Sequence, residues 1–441
     1  MKSVKIQNEI RREALTAFSQ RLSEPVRFIQ VLWGPRQVGK TTLVQQASVQ
    51  FQTDTQGSAH YASSDAAAEP GQGWLAAQWE IARVKTKMAQ AAIPARSARQ
   101  ATTDAARKTG GNPSGQSACG LLVLDEIQRV RDWPRHVKAL WDADRAEGLP
   151  LHVVLLGSSP AAIQQGISES LAGRFEQTWL GHWSLAEVQA AFGVSVDEYV
   201  FYGGYPGAYA LINQAARWRA YVRDALLEAA ISRDVLQLTR VDKPALMRQL
   251  AHLATHYSGQ LLSYTKMLGS LQDAGNTTTL AHYLHLLEAA GLVAGLPKFA
   301  GDAARQRGSI PKLLVLNTAL VSASLDYSFA QARQNPDHWG RLVETCVGAY
   351  LWNLTRERQY AVQLSYWRER SSEVDFCLEA GQIGNRQKRI AIEVKSGKKR
   401  ERPAGLEAFK TQFASHRSLV VGSGGLALEE FLKMPPSVWL E

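Results

Sequence analysis

The apolar positions of the chain fall into two kinds of pattern. Residues 26–33, 121–124 and 153–156 are short, nearly continuous hydrophobic runs, the mark of strands covered on both faces. Residues 60–65 add a candidate second strand. A helix is expected from 74 to 91, with Trp74, Trp79, Ile81 and Val84 as apolar anchors. Strands separated by helical patterns over roughly the first 190 residues predict an α/β unit built on a parallel sheet. Residues 190–240 look helical, with a break at Gly203-Gly204-Tyr205-Pro206-Gly207.

From 242 to 300 three short helical patterns end in a glycine-bounded apolar strand at 291–296. In the third, Leu280, Tyr283, Leu284 and Leu287 repeat at helical spacing and bury one side, leaving Thr277, Thr278, His282 and His285 on the other. This arrangement resembles a winged helix with residues 298–312 as the wing; an ordinary helical spacer has the same pattern. The last stretch predicts a separate α+β unit, a helix at 342–354 and strands near 364–367, 373–378, 390–395 and 418–422. Residues 92–119 have almost no large apolar side chain and read as a mobile loop inserted in the first domain.

Composition changes the picture in three ways. A chain of 441 residues with 45% hydrophobic content and 12 Trp builds real cores, about three of them at roughly 150 residues per domain. Lys and Arg number 50 against 40 Asp and Glu, a formal charge of +10, which suits a polyanion such as nucleic acid. A soluble protein that is simply basic gives the same surplus. The three cysteines, Cys119, Cys346 and Cys377, are too far apart for a CxxC site, and no apolar run reaches the ~18 residues of a membrane span. The charged start, Met1-Lys2-Ser3-Val4-Lys5, lacks a signal core. A reduced, cytoplasmic protein with no membrane partner is expected.

The chemistry concentrates first at Gly34-Pro35-Arg36-Gln37-Val38-Gly39-Lys40-Thr41-Thr42, which fits GxxxxGK[ST] between a strand and a helix. Gly34 and Gly39 let backbone N–H groups curl around phosphate oxygens, and the helix beginning at Lys40 turns its positive end to them. Lys40 reaches the β/γ-phosphates of ATP, and the Thr41 hydroxyl is placed to ligate Mg²⁺. Asp125 and Glu126 end a buried strand, where parallel sheets bind ligands. Asp125 would hold the Mg²⁺ shell and Glu126 would polarise the attacking water. Ser158, with Ser159, ends the next strand, where a polar side chain can sense the γ-phosphate. Arg174 stands where an arginine finger acting on a neighbouring subunit could lie; an ordinary surface arginine fits there too.

Taken together, residues 34–42, Leu124-Asp125-Glu126-Ile127-Gln128-Arg129-Val130, Gly157-Ser158-Ser159, Ser170-Leu171-Ala172-Gly173-Arg174 and Gly203-Gly204-Tyr205-Pro206 resemble the bacterial and archaeal AAA-type ATPases with a C-terminal domain of unknown function. Glu344, Glu373-Val374-Asp375-Phe376 and Ile392-Glu393-Val394-Lys395 extend the resemblance nearly to the C terminus. It implies an α/β, P-loop AAA-type core at 1–190, a helical lid at 191–241, a winged helix at 242–312 and a restriction-endonuclease-like α+β domain at 313–441. The polar insert departs from the family's compact pattern.

Asp375 and Glu393-Val394-Lys395 have the D…E-x-K form of metal-dependent nucleases. Strand alternation puts Glu393 and Lys395 on one face, and a hairpin across 379–389 would bring Asp375 beside them. With Glu344 from the preceding helix they make a candidate Mg²⁺ set. Glu344 borders an apolar stripe and wants a partner, for which Lys395 or a metal would serve. Nearby, Arg386, Lys388, Arg389, Lys398, Lys399, Arg400 and Arg402 offer a phosphate-backbone track. The expectation is a Mg²⁺-dependent, ATP-hydrolysing AAA-type protein, able to form homo-oligomers, that acts on DNA and carries a nuclease-like domain. The alternative is a nucleotide-controlled regulatory switch in which that domain is a silent interaction module.

Overall fold

The computed structural model describes residues 10–101, 118–157, 170–236, 241–273, 275–300, 309–357, 362–383, 386–397, 404–413 and 417–440. The chain divides into two compact units, one of Met1–Gly34 and Gly39–Leu180, the other of Pro35–Val38 and Gly181–Glu441.

The first unit runs α1 (Ala14–Ser23), β1 (Ile29–Trp33), α2 (Lys40–Thr55), β2 (Ser58–Ser63), α3 (Gln72–Ala101), β3 (Gly120–Asp125), α4 (Trp133–Ala146), β4 (Leu151–Gly157) and β5 (Phe175–Trp179). Its five strands form one parallel sheet in the order β2-β3-β4-β1-β5. Every residue of the three inner strands is buried, as their unbroken apolar sequences require, while the two outer strands are partly exposed. Val31, Leu122, Leu124, Val153 and Leu155 pack with Trp79, Trp133, Val137 and Trp141 from the helices.

Helix α3 differs from expectation twice. Its buried stripe is Leu75, Trp79, Ala82 and Thr86, whereas Ile81 and Val84 are exposed. The true stripe follows helical spacing, and Trp79 fixes it by donating to the buried Asp144 carboxylate at 2.6 Å, which Arg83 also holds at 2.7 Å. The helix also continues through 92–101, into the segment expected to be a loop. Residues 102–117 of that insert lie outside the described residues.

The second unit begins with α5 (Leu185–Phe192) and α6 (Val196–Tyr202), a 3-10 turn at Pro206–Leu211, α7 (Ala215–Ala220), and the wider π-type turns Tyr221–Glu228 and Ile231–Leu236. Gly203 is required at the break: its φ is +71°, and a Cβ there would lie 2.0 Å from the Asn317 side-chain oxygen. Then come α8 (Pro244–His256), α9 (Tyr264–Ser270), α10 (Thr277–Ala289) and the antiparallel pair β6 (Val293–Leu296) and β7 (Lys312–Val315). Leu280, Tyr283, Leu284 and Leu287 are buried, and Thr277, Thr278, His282 and His285 are exposed. Residues 301–308, most of the expected wing, lie outside the described residues.

Two short helices not marked by the sequence pattern follow, α11 (Thr318–Ser324) and α12 (Phe329–Gln334), before the long α13 (Pro336–Arg356). Strands β8 (Gln363–Glu369), β9 (Ser372–Ile383), β10 (Arg386–Lys395) and β11 (Arg417–Gly422) form a second sheet in the order β11-β10-β9-β8, with β10 and β11 parallel and the rest antiparallel. Phe376 lies against α13 at Gly348. Its neighbour Cys377, with Ala391 across the ladder, joins the core of Leu406 and Phe409 on α14 (Ala404–Phe413). Strand alternation therefore sets these two helices on opposite faces of the sheet. The helix expected at 342–354 and the four strands expected after it are present within the second unit, followed by α15 (Leu428–Lys433) and α16 (Pro436–Leu440).

Candidate functional site

The loop between β1 and α2 needs its glycines. Gly34 has a φ of +155°, and a Cβ on it would fall 2.0 Å from the Leu180 carbonyl oxygen. Gln37 and Gly39 take left-handed conformations, φ 62° and 90°, and Gly39 caps α2. Lys40, in the first turn, is 8% exposed, and its Nζ donates to the Gly34 carbonyl oxygen at 2.9 Å. The ammonium thus spans its own loop, where a phosphate oxygen would compete for it as a stronger acceptor.

Register brings the acid to this helix end. The strand ends Trp33 and Gly157 are paired, and Asp125 closes β3 opposite Ser63. Asp125 is buried, and its Oδ2 accepts from the Thr41 hydroxyl at 2.9 Å and the Tyr61 hydroxyl at 2.6 Å. Its Oδ1 accepts from the Glu126 backbone N–H at 2.9 Å. Glu126 sits in a left-handed conformation, φ 53°, with its carbonyl tied to the Ser64 hydroxyl and its Oε2 taking the Gln128 side-chain amide. Burial and the hydrogen bond to Asp125 push the Tyr61 phenol well above its ordinary pKa, so it stays a donor. Thr41 and Asp125 present two hard oxygens at a helix N-terminus, a donor pair that suits Mg²⁺.

The side chains and backbone of the other expected residues are engaged as follows. Arg36 forms an ion pair with the buried Asp234 at 2.7 Å, and the Val38 carbonyl accepts from the Trp183 indole at 3.0 Å, both within the second unit. Pro35 belongs to that unit too, whereas Thr42 lies on α2. The Arg174 guanidinium is forked onto Asp142 at 2.8 and 3.1 Å, and its carbonyl accepts from the N–H of Ile29. Ile29 begins β1, so Arg174 stands one strand length, ~16 Å, from the loop that follows Trp33. Ser158 lies outside the described residues.

The second cluster forms where β9 and β10 part. Their pairing ends at Phe376 and Ile392, and beyond it the Asp375 Oδ2 accepts from the Val394 N–H at 2.8 Å. Lys395 pairs with Glu393 at 2.6 Å. Glu344 reaches in from α13, but its partner is Lys312 of β7, at 2.5 Å, and not Lys395. The same ammonium lies 3.6 Å from Asp375 and 3.8 Å from Glu373, and its side chain is 1% exposed. Burial opposes the charge on Lys312, yet Glu344 and Asp375 outweigh it and raise its pKa above the ordinary lysine value. Burial also pushes the Glu344 carboxyl up to about 7 against the pull of Lys312. Glu393 is raised as well, by burial and then by Asp375.

Glu344, Asp375 and Glu393 were expected as metal ligands. Among the described residues no group of three or more His, Cys, Asp or Glu is arranged to hold a metal ion. The expected basic track is only partly described: Lys388 donates to the Leu440 carbonyl, Arg389 pairs with Glu379 at 3.2 Å, and Lys398, Lys399, Arg400 and Arg402 lie outside the described residues. Sequence reasoning missed Tyr61 and Lys312. For Lys312 a signal existed, since a charge heading the apolar run Leu313-Leu314-Val315-Leu316 must bury beside acids or not at all.

Sheet order, loop and acid give the first unit a P-loop α/β fold, and residues 26–189 match the family model described as an AAA domain. Residues 194–331 and 339–431 match two models described as domains of unknown function, DUF8612 and DUF4143. Two curated relatives, each an uncharacterized protein, one of Mycobacterium bovis and one of Mycobacterium tuberculosis, are 31% identical over 264 residues. The match covers 59% of this chain and only 56% of theirs, so the chain spans about half the length of these relatives. Among solved structures, Thermotoga maritima RuvB is 18% identical with a TM-score of 0.30, covering 64% of this chain and 86% of its own. DnaA of Aquifex aeolicus bound to AMPPCP is 13% identical with a TM-score of 0.29, covering 63% and 86%. At such scores nothing is carried over from these two. No helix among the described residues is long and apolar enough to cross a membrane.

Proposed function

We propose that the chain binds and hydrolyses ATP with Mg²⁺ and acts on DNA. The observation that carries the reading is the meeting of Lys40, Thr41 and Asp125 at the C-terminal ends of a parallel sheet. Lys40 would turn from the Gly34 carbonyl to the β/γ-phosphates. Thr41 and Asp125 would hold Mg²⁺, which when bound neutralises charge on the phosphate oxygens. Glu126, steadied by Gln128, would orient the attacking water and accept its proton. Arg174, at the far end of β1, would act only on a neighbouring subunit of a homo-oligomer. We read α8–α10 with β6 and β7 as a winged helix whose exposed α10 face, with the +10 surplus, meets DNA. The domain limits at 190, 241 and 312 and the cytoplasmic setting belong to the same reading.

A second reading, a nucleotide-controlled switch with a silent C-terminal module, is favoured by Lys312 among the carboxylates. Turnover of the full chain with Mg²⁺, measured without DNA and with single-stranded, duplex and branched DNA over a salt series, separates the two. Stimulation that fades as salt rises is expected for DNA action. Turnover indifferent to every DNA, with all of them uncut, would overturn it in favour of the switch.

A further inference from the structure

A divalent metal does not fit the C-terminal carboxylates as they stand. Mg²⁺ requires several oxygens to converge on one point at about 2.0–2.1 Å in near-octahedral order. Here the oxygens converge on an ammonium. Lys312 Nζ lies 2.5 Å from Glu344 Oε1, 3.6 Å from Asp375 Oδ1 and 3.8 Å from Glu373 Oε1, with the Asp375 carbonyl at 3.3 Å. Two further oxygens have partners of their own, whereas the buried Glu393 Oε2 has no hydrogen-bond partner. Asp375 Oδ2 takes the Val394 N–H, and Glu393 Oε1 takes Lys395.

We infer that Lys312 is the resident cation of this cluster, doing for Glu344, Asp375 and Glu373 what a bound divalent ion would otherwise do. The module then keeps its carboxylates without needing metal. Lys312 cannot easily withdraw to admit one. Its strand is held on both sides, by Leu296 and by a bridge to Leu261, and its ammonium lies 5.1 Å from the centre of the Phe376 ring. With the side chain 1% exposed, little water screens it, and a second cation beside it meets direct repulsion. The same ammonium ties β7 to α13 and β9, so its role is to join these elements by charge.

This inference rests on the silent-module reading and is independent of the ATPase. The test is a Mn²⁺ titration of the full chain without nucleotide, followed by calorimetry and by the spin-resonance signal of free Mn²⁺. Wild type and Asp375→Asn are expected to give the same isotherm, any uptake at the P-loop being common to both. Lys312→Met is expected to take up Mn²⁺ at least about tenfold more tightly at one further site, because freed carboxylates are hard-cation ligands. That uptake should vanish in Lys312→Met/Asp375→Asn. Wild-type binding that Asp375→Asn removes would overturn the inference, as would a folded Lys312→Met with no added uptake. Should Lys312→Met fail to fold, the wild-type comparison still decides. Mn²⁺ bound by wild type without DNA cleavage overturns the resident ammonium alone; cleavage lost in Asp375→Asn overturns the silent module with it.

Discussion

Lys40 and Lys312 are both buried lysines, yet they are used differently. Among the described contacts Lys40 donates to the Gly34 backbone carbonyl, and Asp125, which Thr41 holds, accepts from two hydroxyls and a backbone N–H. Lys312 meets three carboxylates. A ligand phosphate can outbid a carbonyl for an ammonium, and a metal can outbid a hydroxyl for a carboxylate. Neither exchange is open to Lys312 without leaving acids buried and uncompensated. Buried charges held by neutral partners are poised for a ligand; charges held by opposite charges build the fold.

The largest effect that probes this contrast is kinetic. Glu126→Gln should lower ATP turnover by about 10²–10⁴-fold, the usual worth of a placed general base, while a fluorescent ATP analogue still binds. Undiminished turnover would take Glu126 out of the chemistry. Next comes stability. Lys312→Met should cost about 3–5 kcal/mol in urea unfolding, since it strands buried carboxylates. Adding Glu344→Gln should return part of that loss by removing one of the stranded charges. Lys40→Met, which leaves no buried carboxylate cluster uncompensated, should cost less than Lys312→Met, its bond to the Gly34 carbonyl being worth about 0.5–1.5 kcal/mol. Equal losses for the two lysines would erase the distinction.

What was legible in the sequence is local. The inner strands announce themselves because an unbroken apolar run such as Leu121-Leu122-Val123-Leu124 fits only a strand covered on both faces. The P-loop is legible because its glycines, lysine and threonine act within nine consecutive residues. The hairpin of β9 and β10 follows from alternation. Pairings between distant segments were not legible. Nothing near Glu344 says that its partner is Lys312, because that contact depends on how β7 packs against α13. The stripe of α3 was misread for a related reason: Ile81 and Val84 are apolar but exposed, and Asp144, 65 positions from Trp79, decides which face turns inward. Helix α11 is missed because Thr318, Ser322 and the alanines beside them carry little apolar signal, although the helix is buried almost throughout.

Tyr61 gives the finest test of the poised site. It lies on β2 beside β3, and its hydroxyl donates to the Asp125 oxygen that Thr41 also uses. Three donors fix the orientation of this carboxylate, and the phenol is the one that Mg²⁺ chemistry does not require. As a positioning residue, Tyr61 should set how readily Asp125 accepts metal. Tyr61→Phe loses one hydrogen bond to a charged acceptor, about 1.5 kcal/mol, and should raise the Mg²⁺ needed for half-maximal turnover about tenfold. ATP binding in EDTA should not move, because the phenol acts on the Asp125 carboxylate, and the unfolding free energy should fall by no more than that one hydrogen bond is worth. An unchanged Mg²⁺ requirement would remove Tyr61 from the site. A lowered requirement would show instead that the phenol competes with the metal for Asp125, the behaviour of Lys312 in miniature, and would blur the line between the two clusters.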